Sequence, residues 1–109
     1  VTAYAESALF RGQPNTSDQL LYTVPASTTA IVAEIIVANT TGTAATITIG
    51  LDSAGTLAAA NHVLSAVSVA ANTTVTYPMR QVLTTGKTIR SLQGTSTALT
   101  VHIAGILIT

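Results

Sequence analysis

The side chains able to do chemistry are few: two histidines, His62 and His102, and four carboxylates, Glu6, Asp18, Glu34 and Asp52, in 109 residues. A metal site needs several ligands that converge, and no carboxylate here stands at a close, regular spacing from a histidine. A packing or interface role for both histidines outweighs a metal-binding or catalytic one. Serines are plentiful, but no GxSxG elbow presents one as a nucleophile. Neither GxxxxGK[ST] nor GxGxxG occurs, so no glycine-rich loop is available to cradle a phosphate. Asp52-Ser53-Ala54-Gly55 opens like a calcium loop but lacks the later acidic ligands, and reads as a turn. With no cysteine, disulfides and thiolate metal sites are excluded. These residues argue for a protein that is not an enzyme and takes no cofactor.

The charged residues point to contacts instead. Arg80, Lys87 and Arg90 lie close along the chain, yet a nucleic-acid patch calls for more charge and interleaved aromatics, and only Tyr77 is nearby. Glu34 stands out because it interrupts an apolar stretch, with Val32 and Ile36 expected on its face. Two roles suit it: a gatekeeper against sheet stacking, or an ionic partner for Arg80, Lys87 or Arg90 of a neighbouring subunit. Ile106 and Ile108 form a second apolar row on an expected outer face. The expected interface set is therefore Val32, Glu34, Ile36, Arg80, Arg90, Ile106 and Ile108, joined by Tyr4, Phe10 and Arg11 of the amino-terminal segment.

The elements that must position these groups are strands. Residues 28–51 contain two runs, Ala30–Ala38 and Ala45–Leu51, rich in Val, Ile and Thr, whose branched Cβ suits a pleated strand. Alternation places Ile31, Ala33, Ile35 and Val37 on one face of the first run, and Ala45, Ile47, Ile49 and Leu51 on one face of the second. Asn39-Thr40-Thr41-Gly42-Thr43 between them predicts a hairpin. Further strands are expected at Tyr4–Phe10, Gln19–Val24, His62–Val69, Thr73–Tyr77 (stopped by Pro78), Thr88–Leu92 and Ala98–Ile108, with Gln81–Leu83 a short extended piece. A single helical turn fits in Thr56–Asn61. Seven to eight short strands separated by Gly, Pro and Asn turns predict an all-β, two-sheet antiparallel sandwich, jelly-roll-like or Ig-like. Residues 1–18 are expected as an amino-terminal arm or edge strand, and 19–109 as the sandwich domain. Ile31, Ile35, Val37, Ile47, Ile49, Val101 and Ile103 are the expected core.

Composition narrows the partners. Charged residues make up 7%, against roughly 25% in an average soluble domain, while 48% of residues are hydrophobic and 4% aromatic. A formal net charge of zero removes the usual attraction to nucleic acid or an anionic membrane, together with the repulsion that keeps domains apart. No run approaches the roughly 18 apolar residues of a membrane span, and Val1-Thr2-Ala3-Tyr4 lacks the pattern of a signal peptide. A homo-oligomer is expected, most simply a trimer.

Leu21-Tyr22-Thr23-Val24-Pro25-Ala26-Ser27-Thr28-Thr29-Ala30, followed by Ile35-Ile36-Val37-Ala38-Asn39-Thr40, resembles the small β-sandwich virion proteins of tailed bacteriophages. Val69-Ala70-Ala71-Asn72-Thr73-Thr74-Val75 and the closing Leu99-Thr100-Val101-x-Ile103-x-Gly105 resemble them too. The resemblance runs from about Leu21 to Thr109. It implies a non-enzymatic structural protein of the virion, assembled in the host cytoplasm, whose partner is the major capsid protein or another virion protein. A capsid decoration (cement) protein is the first expectation. Alternatives are a tail, collar or fibre module, or a carbohydrate-binding sandwich, although Tyr4, Phe10, Tyr22 and Tyr77 make a poor supply of stacking platforms.

Overall fold

The computed structural model describes residues 3–53 and 56–109. Eight strands run in order: β1 (Tyr4–Gly12), β2 (Gln19–Thr23), β3 (Thr29–Asn39), β4 (Ala45–Ser53), β5 (His62–Val69), β6 (Thr74–Leu83), β7 (Thr88–Gln93) and β8 (Leu99–Ile108). One 3-10 turn, Ala59–Asn61, lies within the stretch expected to hold it. The Asp52–Gly55 turn expected from sequence falls partly outside the described residues, and β4 continues through Ser53.

The strands form two antiparallel four-stranded sheets, ordered β1-β8-β3-β6 and β2-β7-β4-β5. Pairing is nested: β1 with β8, β2 with β7, β3 with β6, β4 with β5. A folded-over ladder of this kind, rolled into a sandwich, is a jelly roll. The amino-terminal segment is part of it, since β1 forms one edge of the first sheet and sends Leu9 into the core.

This topology corrects the expected hairpin. β3 and β4 lie in different sheets, and the Asn39–Ala45 segment is a corner between them. Each strand has one apolar face, and a corner lets the two faces cover each other across the interior, which a hairpin would not. Asn39 makes the corner tenable. Its buried amide donates to the Thr43 and Val69 carbonyls at 2.9 and 3.0 Å and accepts from the Thr41 amide and hydroxyl at 2.9 and 2.8 Å. The Ala71-Asn72 turn likewise joins strands of different sheets. Pro78 does not end its strand either: β6 runs through it, because at the sheet edge proline forfeits no ladder bond.

The core is aliphatic, and Ile35, Val37, Ile47, Ile49, Val101 and Ile103 are all inside it. Ile31 is not. The register of β3 shifts between Val32 and Glu34 against both neighbours, and this bulge reverses the alternation before it. Ala30 and Val32 are therefore buried, while Ile31 faces outward, half-buried. A bulge of one residue exchanges the two faces of everything on one side of it.

Candidate interaction surface

Cross-strand partners share a face, so the pairing registers give the outer surface of the first sheet row by row. One row is Tyr4–Ile108–Thr29. The next is Glu6–Ile106–Ile31–Val82, then Ala8–Ala104–Glu34–Pro78, then Arg11–His102–Ile36–Thr76. Ala33 is exposed in the β3 bulge, and Arg80 is exposed between Pro78 and Gln81 in the bulge of β6. Tyr4 is 72% and Val82 60% exposed, and Ile31, Ile36, Ile106 and Ile108 are half-buried. The alanines leave a depression of about 420 Å³ lined by Glu6, Ala8, Arg11, Ala33, Ala104 and Ile106, among others.

Of the residues expected at an interface, this face brings together Tyr4, Arg11, Glu34, Ile36, Arg80, Ile106 and Ile108. Three others go elsewhere. Val32 is fully buried, for the reason given by the β3 bulge. Phe10 turns inward and packs against the core, because β1 has its own register shift between Ala8 and Phe10. That shift also brings Arg11 to the outside, opposite His102. Arg90 belongs to β7 in the other sheet, so it makes no patch with Arg80. Ile31 and Ala33 were missed by strict alternation, because the β3 bulge that places them has no glycine of its own to mark it, while Glu6 follows from Tyr4 by alternation.

Arg90 is held within the chain. Its Nε donates to Oδ1 of Asp18 at 2.8 Å, and Oδ2 of Asp18 accepts the Leu57 amide at 2.9 Å. Burial pushes the Asp18 carboxyl up, but the Leu57 amide, the Arg90 hydrogen bond and the Arg90 charge together bring it below its ordinary value. A carboxyl whose folded-state pKa is depressed adds stability above its unfolded pKa, and loses it as pH falls below about 4. The two side chains are 17% and 26% exposed, so we expect Asp18→Asn to cost about 1–2 kcal/mol at neutral pH. The check is urea unfolding from pH 7 to pH 3, where the variant's deficit should shrink as the wild-type carboxylate is protonated.

The outer face of the second sheet is partly roofed by its own chain. Thr48 and Gly50 of β4 are buried there. Leu57 lies so close over Gly50 that a Cβ added at Gly50 would stand 2.5 Å from its Cδ2. Among the described residues no three His, Asp or Glu side chains converge as metal ligands. His62 Nδ1 lies 3.3 Å from the Ser65 hydroxyl at the surface. No helix is long and apolar enough to cross a membrane.

No protein-family model matches the chain, and no curated protein matches it. Solved structures similar to it include a Bacillus endospore appendage from a family of disulfide-linked pili, at 15% identity and a TM-score of 0.51 over 99% of this chain and 86% of that one. The infectious bursal disease virus Gx strain is similar at 14% identity and 0.50, over 98% of this chain and 31% of that one. The T13 viral particle of the same virus gives 12% identity and 0.50, over 98% and 30%. The chain spans about a third of the length of those two viral chains. The residues given contain no cysteine, so the cross-link named for the pili has no counterpart among them. At such identity the likeness concerns the fold alone.

Proposed function

We propose that this chain is a non-enzymatic structural subunit of a tailed-phage virion, and that it decorates and stabilises the outer head. The observation that carries this reading is the first sheet's outer face, where Ile31, Ile36, Ile106, Ile108 and Val82 stand on a surface of zero formal charge, with Glu6 and Glu34 balanced by Arg11 and Arg80. An apolar, neutral face of this kind is suited to burial against a protein neighbour. The resemblance of the Tyr22–Ala26 and Asn39–Thr40 segments to phage virion proteins, and the likeness of the fold to chains of a viral particle, support the same direction. A carbohydrate-binding role lacks its platform: Phe10, Tyr22 and Tyr77 all pack against the core, leaving Tyr4 as the one strongly exposed aromatic ring.

The test is stoichiometry. In purified particles that contain this chain, quantitative mass spectrometry should find it at about the copy number of the major capsid protein or a fixed fraction of it, in the hundreds per particle. About a dozen copies or fewer would assign it to the tail, collar or a fibre instead. Its absence from particles would overturn the virion reading as a whole.

A further inference from the structure

We propose that the outer face of the first sheet pairs with the same face of a second copy, about a two-fold axis running across the strands along the Ala8–Ala104–Glu34 row. The inference rests on the reading of this face as one covered by a protein neighbour and names that neighbour as a second copy, wherever the pair sits in a particle.

The charges on this face are placed for reciprocity. Glu6 pairs with Ile106 and Arg11 with His102, so on β8 the two charged positions lie two residues to either side of Ala104. That is about 7 Å each way along the strand. A two-fold axis through the Ala104 row therefore lays Glu6 of each copy over Arg11 of the other. It also lays Ile106 over His102 and Ile31 over Ile36. Among the described residues no ion pair uses Glu6, Arg11, Glu34 or Arg80. Glu34 falls on the axis, where it would meet its own copy, and Arg80, exposed beside it in the β6 bulge, supplies the intervening positive charge from each chain. The row on the axis carries Ala8, Ala104 and the bulged Ala33, the smallest side chains on the face, so the depression of each copy faces that of the other across the axis.

The bulge in β1 is what makes the face self-complementary. Without the shift between Ala8 and Phe10, alternation would turn Phe10 outward and Arg11 into the core. The other surfaces are less suited to pairing. β1 and β2 both carry register shifts, and β2 has five residues. β5 is broken at two register shifts and at Ala66, whose φ is 47°, and β6 carries Pro78 and a bulge. Interrupted edges resist strand addition, and the second sheet's outer face is already roofed at Gly50 by Leu57. Four strands of about ten residues present roughly 600 Å² per copy, or about 1,200 Å² in a pair, at the lower limit of specific interfaces. The geometry points to a two-fold dimer in concentration-dependent exchange, in place of the trimer expected from composition.

Sedimentation velocity across a concentration series tests this, with circular dichroism confirming that each variant is folded. The wild type should shift from monomer to dimer. Glu6→Arg and Arg11→Glu should each weaken the dimer by about tenfold or more, since each sets two like-charged pairs against each other. The double variant Glu6→Arg/Arg11→Glu restores both pairs with their signs exchanged, and should return the dimer to within about threefold of wild type. A wild type that stays monomeric or forms a trimer, single variants that dimerise normally, or a double variant as weak as the singles would each overturn the proposal. None of these results bears on copy number in particles.

Discussion

Replacing Asn39 by Ala is expected to destabilise the protein by about 3–5 kcal/mol, because it removes a side chain that makes four hydrogen bonds at the corner between the sheets. The amide is 3% exposed, and the Val69 carbonyl that it serves is buried with it. Leaving a buried donor or acceptor unpaired costs about 1–3 kcal/mol each, more than the bond itself contributes in net terms. Asn39→Asp is a sharper probe. It keeps the shape, but a carboxylate has no hydrogen to give the Thr43 and Val69 carbonyls, and it adds a buried charge facing two oxygens. Such a carboxyl has its folded pKa raised, the opposite shift to that of Asp18, so the variant's deficit should grow as pH rises above about 4 and shrink below it as the introduced carboxyl is protonated. Guanidinium unfolding of both variants at pH 3.5 and 7 measures this; a pH-independent deficit in Asn39→Asp would refute the account of the corner.

Gly105→Ala should be nearly as damaging, although it adds a single methyl group. A Cβ at Gly105 would fall on the Ile31 carbonyl oxygen and stand 3.0 Å from Leu9 Cδ1. The obstacle is backbone, and it belongs to β3, which β8 cannot leave because β1 holds it from the other side. We expect a loss of about 2–3 kcal/mol or more, as overpacking in a rigid site produces. Gly50→Ala is the control. Its Cβ would meet Leu57 Cδ2, the end of a flexible side chain in a surface connection, so a rotamer change relieves it at about 1 kcal/mol or less. Thermal unfolding of the two alanine variants side by side should separate them clearly, and equal losses would show that the Ile31 carbonyl can move.

The strands could be read from the sequence because period-two alternation and turn residues are local signals. Leu99, Val101 and Ile103 face inward as alternation requires, and the 3-10 turn at Ala59–Asn61 lies where a short alanine run allowed it. Sheet membership was not legible. Whether Asn39–Ala45 makes a hairpin or a corner depends on where the apolar faces of β3 and β4 find cover, and that is settled by β5, β6, β7 and β8 far along the chain. The candidate surface was partly legible for the same reason. Ile36, Ile106 and Ile108 were placed by alternation, but Val32 and Ile31 exchanged places at a bulge created by the β3–β6 and β3–β8 registers together. Arg90 was misread because its partner, Asp18, is 72 residues away in sequence.

The nested pairing also sets an order of events for the nascent chain. Only β4 and β5 are neighbours both in sequence and in a sheet. Each pair outside them, β3 with β6, then β2 with β7, then β1 with β8, closes a longer loop at greater entropic cost unless the inner pair has formed first. Zippering outward from β4–β5 is therefore the least costly route. β1 emerges from the ribosome before every other strand described here, yet it pairs with the strand that emerges last. The first sheet cannot close its β1 edge before β8 has emerged, and until then Tyr4–Gly12 has no ladder to join.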